Sequence, residues 1–209
     1  MIRKTVSVCL TLLALLIVSL VYPPVSYGYD RLNSCPTCED DSPEQTLKNK
    51  VSQIQDLIQN DKLDKKERKE FLRQTVESLF DMHELTRRIL GRHWPKDTDE
   101  QNKLVALFNN LLEHNYFRHV EMVKNMEFSY GSPRFDGDVV KIHSQGVLPN
   151  GEKFEIVYSM HRTSGGWKIY DLSVWGISLV SNFRSQTNDI IQRYSYQELI
   201  TRLEKKNLK

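Results

Sequence analysis

The sequence has no surplus of charge of one sign. Its 209 residues include 29 Lys and Arg against 27 Asp and Glu, which gives a net charge of +2. Removal of residues 1–28 would take away two basic residues, Arg3 and Lys4, and no acidic ones, so the remaining chain would be neutral. A protein that binds nucleic acid needs positive charge to neutralise phosphates. The composition therefore argues against nucleic acid as a partner.

The chain also lacks an apolar run long enough for a typical membrane span. Val6–Val21 is almost wholly apolar, but Pro23-Pro24 ends it short of the about 20 residues that a spanning helix needs. A short basic start precedes this run, and Ser26-Tyr27-Gly28 has small residues at the two positions that signal peptidase reads. We predict that residues 1–28 are a signal peptide, cleaved after Gly28, and that the mature protein is periplasmic. A retained N-terminal anchor is the alternative.

Cysteine is scarce, with three residues in the chain. Cys9 lies inside the apolar run, whereas Cys35 and Cys38 form a Cys-x-x-Cys motif in a polar tail over residues 29–43. The flanks of this motif do not have the strand and helix patterns of a thioredoxin-like site. In an oxidising compartment the motif is a candidate local disulfide or a pair of tail thiols. A metal or partner site and redox catalysis stay open as alternatives.

Motifs of enzyme active sites are missing as well. The sequence contains no His-Glu-x-x-His, no Gly-x-Ser-x-Gly and no glycine-rich phosphate loop, and its six His are scattered. We therefore expect a protein without enzyme activity, resident metal or cofactor. Asp171 interrupts an apolar run between Tyr170 and Leu172. It serves as an acid–base group, accepts hydrogen bonds that fix a corner between strand and helix, or faces solvent.

Helix-capping signals occur in the first half of the chain and again near its end. Together with the spacing of apolar residues, they predict six helices, of which the fourth spans about residues 99 to 123 and the fifth runs from Ile177 to about Arg193. The predicted caps are Ser42, Asp64, Asp81, Thr98 and Ser195.

Between residues 126 and 176 the pattern changes to short runs of β-branched and aromatic residues. Asp136-Gly137, Asn150-Gly151 and Gly165-Gly166 separate these runs, and such dipeptides favour tight hairpin turns. The sequence therefore predicts a four-stranded antiparallel sheet wrapped by about six helices, an α+β fold. In the fourth strand Ile169 is assigned to the face opposite Leu172, so both faces are apolar. Ordinary core packing and a pocket for acyl chains would give the same pattern.

Several blocks of the sequence resemble the MlaC (toluene-tolerance) family of phospholipid-binding proteins. The run from Trp167 to Gln186, with Tyr170-Asp171, Gly176-Ile177-Ser178 and Arg184-Ser185-Gln186, is similar to the family signature. Together the blocks extend in order over residues 44–206, followed by a charged tail at 207–209. Thr187 and the Cys35–Cys38 tail depart from the family pattern. Further similar blocks are Phe80-Asp81-Met82, Leu90 to Trp94, Glu100-Gln101, Phe108 to Tyr116 and Tyr196 to Leu203.

The resemblance implies a soluble periplasmic carrier that holds phospholipid tails in an apolar pocket between the sheet and the helices. Its implied partners are phospholipid, an outer-membrane lipoprotein complex and an inner-membrane ABC transporter with a hexameric lipid-binding subunit, and its role is to maintain outer-membrane lipid asymmetry. We expect a monomer. A carrier of hopanoids or other apolar molecules is one alternative, and an enzyme that uses Asp171 with Tyr158 or Tyr170 is another. Matching positions suggest that Tyr158 and Ile177 line the pocket. The sheet and helix patterns add Leu90, Phe108, Leu111, Ile142, Ile169, Leu172, Leu179, Val180 and Phe183.

Overall fold

The computed structural model describes residues 42–60, 62–116, 126–148 and 150–207. The predicted signal peptide, the Cys35–Cys38 pair and positions 117–123 of the predicted fourth helix lie outside the described residues. Within them the chain forms six helices and one antiparallel sheet, which confirms the predicted α+β class. A 3₁₀ turn, Gly91–His93, follows the third helix. The helices are α1 Pro43–Gln59, α2 Lys65–Leu79, α3 Met82–Leu90, α4 Thr98–Tyr116, α5 Leu179–Arg193 and α6 Tyr196–Asn207.

Most of the predicted helix starts are confirmed by hydrogen bonds to the capping side chain. In α4 the cap lies one residue earlier than predicted, because Asp97 rather than Thr98 accepts a bond of 2.9 Å from the backbone N–H of Glu100. Each such bond satisfies a backbone donor that the first helical turn would leave unpaired. The side chains of Ser42, Asp64, Asp81 and Ser195 accept backbone N–H groups as predicted.

The sheet contains the four predicted strands and two short additional ones. Its order is β1-β3-β4-β5-β6, and β2 also pairs with β3, so β1 and β2 lie end to end along one edge. Pro133 lies between these two strands and has no N–H to donate, which fits the break in the edge. The strands are β1 Glu127–Tyr130, β2 Arg134–Asp136, β3 Val139–Val147, β4 Lys153–Thr163, β5 Gly166–Val174 and β6 Ile177–Ser178.

The three glycine-containing dipeptides lie at the hairpin turns, as predicted. Gly137, Gly151 and Gly166 all have positive φ angles, of 58°, 82° and 96°. A fourth hairpin was not predicted: Trp175 and Gly176 have φ angles of 50° and 74° and connect β5 to a further strand, β6. Two successive positive φ angles are the geometry of a type I′ hairpin.

A β-bulge in β5 changes the predicted alternation of side chains. Ser159 pairs with Asp171 but Met160 pairs with Ile169, so Tyr170 is the extra residue. The bulge reverses the alternation at this point, and Ile169 packs with Leu172 in one buried cluster. The prediction that Ile169 and Leu172 lie on opposite faces is therefore wrong.

One face of the sheet packs against α1 and α2, and part of the other face, on β3 and β4, meets solvent. Leu47 and Val51 of α1 and Leu79 of α2 are buried with the apolar side chains of β3, β4 and β5. On the other face, His143 and Glu155 form an exposed hydrogen bond of 2.9 Å between Nδ1 and Oε1. Helices α3 and α5 contact β5, and α4 and α6 pack against these helices. Among the described residues, no helix combines the length and the hydropathy of a membrane span.

Candidate functional site

The buried face of the sheet carries one continuous cluster of apolar side chains, which we call the sheet cluster. None of its residues bears a charge, and each is at most 5% exposed. Phe80, Phe128, Tyr130, Leu148 and Trp167 pack around it and are half-buried. The cluster consists of Leu47, Val51, Leu79, Met126, Val140, Ile142, Phe154, Ile156, Tyr158, Met160, Ile169, Leu172 and Val174.

A second buried cluster, which we call the helix cluster, lies among helices α3 to α6. Phe183 packs at its edge, with its ring centre 6.2 Å from that of Phe108. Phe80 packs against both clusters and therefore joins them. The helix cluster consists of Leu85, Ile89, Leu90, Leu104, Phe108, Leu111, Leu112, Leu179, Val180, Leu199, Ile200 and Leu203.

The predicted pocket residues divide between these two clusters. Phe183 is half-buried beside the helix cluster, and Ile177 is 39% exposed at the end of the β5–β6 hairpin. Whether each of the eleven contacts a ligand stays a prediction. The sheet cluster contains Ile142, Tyr158, Ile169 and Leu172, and the helix cluster contains Leu90, Phe108, Leu111, Leu179 and Val180.

Polar contacts fix α3 to the sheet where the two clusters meet. The backbone N–H of Asp81 donates to the carbonyl of Ile169 at 2.8 Å, and its Oδ2 lies 3.0 Å from Nε2 of His161. The guanidinium of Arg88 lies 4.0 Å from the ring centre of Tyr170, the bulged residue of β5. The bulge therefore directs an aromatic ring away from the sheet cluster and towards α3.

Charged side chains on α3 pair with one another beside the contacts between α3 and the sheet. Arg87 and Arg88 both donate to the carboxylate of Glu84, at 2.6 and 2.7 Å. The hydrogen bond from Arg87 makes the larger contribution and that from Arg88 the smaller one, and together they hold the pKa of Glu84 below its usual value. Glu84 therefore keeps its charge to lower pH than a free glutamate does.

Tyr158 lies at the centre of the sheet cluster with an unpaired hydroxyl. It pairs with Ile142 on β3 and with Leu172 on β5, and it is 1% exposed. Its Oη has no hydrogen-bond partner among the described residues. Burial, followed by the proximity of Tyr130, raises the pKa of Tyr158 well above its usual value. The hydroxyl therefore remains protonated and can donate a hydrogen bond.

Gln55 of α1 is a second buried polar side chain without a partner. It is 1% exposed, and neither its Nε2 nor its Oε1 has a hydrogen-bond partner among the described residues. It follows Val51 by four residues and so lies one turn further along the same face of α1. Sequence reasoning missed Gln55, although a glutamine at an apolar position of the helix pattern was a visible signal.

Replacement of Gln55 by Met should stabilise the protein. A buried amide without partners costs about 1–3 kcal/mol, and Met has a similar shape without that polar group. We expect the free energy of unfolding to rise by about this amount in urea denaturation. Gln74→Met is the matched control, because Gln74 is exposed and donates to Glu70 at 2.7 Å. Destabilisation by Gln55→Met would show that the Gln55 amide makes a stabilising hydrogen bond in the folded protein.

An aromatic row crosses one end of the sheet cluster and reaches the protein surface. The ring centre of Phe154 is 5.9 Å from that of Phe128 and 5.9 Å from that of Trp175. Gly146 of β3 pairs with both phenylalanines and leaves room for their rings. Trp175 is 40% exposed and Ile177 is 39% exposed, so the β5–β6 hairpin presents an apolar tip beside this row. Sequence reasoning found Ile177 but not the tip as a whole.

Asp171 fixes a corner between β5 and α5, which was one of the alternatives predicted for it. Its Oδ1 accepts the backbone N–H groups of Leu172 at 2.8 Å and Val180 at 3.0 Å. Its Oδ2 accepts the hydroxyl of Ser178 at 2.6 Å, and Ser178 in turn caps α5. Because Ser178 is the cap, α5 begins at Leu179. The start predicted from the sequence pattern, Ile177, lies two residues too early. These bonds connect β5 to the start of α5.

Loss of the Asp171 carboxylate should destabilise the fold. Asp171→Ala leaves the Ser178 hydroxyl and two backbone donors without their acceptor, at a cost of about 1–3 kcal/mol. Asp171→Asn retains one acceptor oxygen and should recover part of that loss. Chemical denaturation of the three proteins measures the difference. Equal stability of the parent and Asp171→Ala would contradict the structural role.

Comparison with known proteins identifies a protein family and solved structures with a similar fold. The model of one protein family, described as MlaC protein, matches residues 46–205. Among solved structures, the chain is similar to a phospholipid-binding protein from Ralstonia solanacearum that was determined in complex with a phospholipid. The identity is 24%, the match covers 81% of this chain and 97% of that one, and the TM-score is 0.69, which establishes a shared fold. No curated protein matches the chain.

Proposed function

The chain belongs to the MlaC family, and on that premise we propose that it is a carrier that binds phospholipid through the acyl chains. The observation that carries this proposal is the shared fold with a protein determined in complex with a phospholipid. The uncharged sheet cluster supports it, because acyl chains require walls without charge. We propose that the predicted pocket residues form the wall against which the acyl chains pack.

Burial of apolar surface supplies the binding energy. At about 0.8 kcal/mol per CH₂, one chain of about 16 carbons gains on the order of 10 kcal/mol when it leaves water. A lipid in a bilayer already has this gain, so the protein can extract it only if its own interior is about as favourable. The carrier is therefore passive, and its partners set the direction of transport.

The proposed setting is the periplasm, with exchange between an outer-membrane lipoprotein complex and an inner-membrane ABC transporter. The predicted signal peptide at residues 1–28 supports export, and the family supports the partners. In this setting, removal of phospholipid from the outer leaflet would maintain outer-membrane asymmetry. The hydrogen bonds that occupy Asp171 favour a binding protein over an enzyme. A hopanoid or another apolar molecule is the alternative cargo.

Transfer between vesicles tests the carrier function. Donor vesicles containing a fluorescent phospholipid are mixed with unlabelled acceptor vesicles, with and without the purified protein. We expect transfer to accelerate in proportion to protein concentration, without ATP, and at the same rate when donor and acceptor compositions are exchanged. A protein that does not accelerate transfer, in either direction and with either a phospholipid or a hopanoid label, would contradict the proposal.

A further inference from the structure

A chain of contacts leads from the protein surface to the unpaired hydroxyl of Tyr158. Lys48 of α1 is 44% exposed at its side chain and forms an ion pair of 2.6 Å with Glu44. Its Nζ lies 5.7 Å from the ring centre of Tyr130, which is half-buried on the edge strand β1. The ring centres of Tyr130 and Tyr158 are 6.4 Å apart. A cation at the surface is thus followed by a half-buried phenol and then by a fully buried one.

The buried end of this series requires a hydrogen-bond partner that the described residues do not supply. Tyr158 is surrounded by apolar members of the sheet cluster, and its Oη is unpaired there. A buried hydroxyl without a partner costs about 1–3 kcal/mol. Phenylalanine would fill the same space without that cost, so the hydroxyl needs an explanation other than packing.

The order of groups along the series matches the order of groups along a phospholipid. In such a lipid an anionic phosphate is followed by ester carbonyls and then by alkyl chains. Lys48 offers a cation at the surface, Tyr158 offers a donor inside, and the sheet cluster around Tyr158 offers apolar walls. An ester carbonyl is a strong acceptor, whereas the oxygen of an ether linkage is a weaker one and the linkage lacks the carbonyl.

We propose that the Tyr158 hydroxyl donates a hydrogen bond to an ester carbonyl of the bound lipid, so that the protein selects diacyl phospholipids over ether-linked ones. This inference rests on the proposed carrier function and adds a selectivity to it. The raised pKa of Tyr158 agrees with a donor that stays protonated at every physiological pH. An ordered water on Tyr158 is the competing explanation, and it predicts no selectivity for the linkage.

A competition between two lipids tests the proposal. Delipidated protein is incubated with vesicles that contain equal amounts of a diacyl phosphatidylglycerol and its dialkyl ether analogue with the same chain length. The protein is then isolated again and its bound lipids are quantified by mass spectrometry. We expect the parent protein to prefer the ester lipid by about 2- to 10-fold, the effect of one hydrogen bond. The Tyr158→Phe variant should bind both lipids equally.

The matched control is Tyr170→Phe, which removes the same group from a buried tyrosine outside the sheet cluster. This variant should keep the parental preference. The thermal midpoint of lipid-free Tyr158→Phe should equal or exceed that of the parent, which separates a lost contact from a damaged fold. A parent without preference, or a Tyr158→Phe variant that retains it, would overturn the inference while leaving the carrier function intact. Failure of every protein to bind either lipid would instead refute the carrier function, and the inference with it.

Discussion

Ile177→Asp should abolish the retention of phospholipid while leaving the protein folded. Ile177 pairs with Val174 at the β5–β6 hairpin and is 39% exposed, so a carboxylate at this position remains hydrated in the lipid-free protein. An acyl chain packed against position 177 would remove that hydration. Burial of an unpaired carboxylate costs several kcal/mol, so we expect affinity to fall by about 100-fold or more. Lipid content after purification measures the effect.

Two control variants separate the wall of the pocket from exposed apolar positions in general. Ile177→Val keeps the position apolar and should retain lipid. Phe135→Asp introduces the same charge on β2, where Phe135 is 61% exposed and packs against Trp167, and should also retain lipid. Parental lipid content in Ile177→Asp would remove Ile177 from the predicted pocket.

Gly146→Ala should destabilise the sheet by overpacking its buried face. An added Cβ would lie 2.3 Å from Cζ of Phe154 and 2.8 Å from Cε1 of Phe128, far inside van der Waals contact. Phe154 is 2% exposed and its ring packs on two neighbouring rings, so it has little room to move. Overpacking of this kind costs about 1–3 kcal/mol, which urea denaturation would detect.

A matched glycine and a compensating change test the cause of this effect. Gly165→Ala should be nearly neutral, because the nearest atom to its added Cβ is Oγ1 of Thr163 at 3.8 Å. The Phe154→Leu variant shortens the side chain that meets the new methyl group. The double variant with Gly146→Ala should therefore lose less stability than the sum of the two single changes. Additive losses would show that the clash with Phe154 is not the cause.

Local features of the structure were predictable because they depend on neighbouring residues alone. Asp64 caps α2 through a bond within three residues, and Gly137 and Gly151 adopt the positive φ that their turns require. The alternation in β4 also held, with Phe154, Ile156, Tyr158 and Met160 all buried. These signals gave the number of helices and the four long strands.

Features that depend on contacts between distant elements were missed. The Tyr170 bulge has no strong local signal, since a tyrosine fits any strand position, and its ring is held by Arg88 from α3. Trp175 is a bulky residue with a positive φ, which is rare, so the sequence did not indicate that the turn at Gly176 closes a hairpin. The start of α5 at Leu179 follows from the bonds among Asp171, Ser178 and Val180, which join strand to helix.

The candidate site shows the same division. Apolar spacing predicted that residues such as Phe108 and Ile142 are buried, and both are 0% exposed. Spacing did not reveal that Phe108 belongs to the helix cluster and Ile142 to the sheet cluster. Nor did it reveal that Phe80 packs against both clusters. Nor did it identify the unpaired hydroxyl of Tyr158, because an apolar environment is a property of the assembled sheet.

Lipid analysis of the purified protein tests the central proposal most directly. The full chain is produced with its N-terminal segment, purified without detergent and extracted with organic solvent, and the extract is analysed by mass spectrometry. We expect phospholipid in near-stoichiometric amount from the parent protein and very little from Ile177→Asp. A folded parent protein that yields no phospholipid, even after incubation with phospholipid vesicles, would contradict the account.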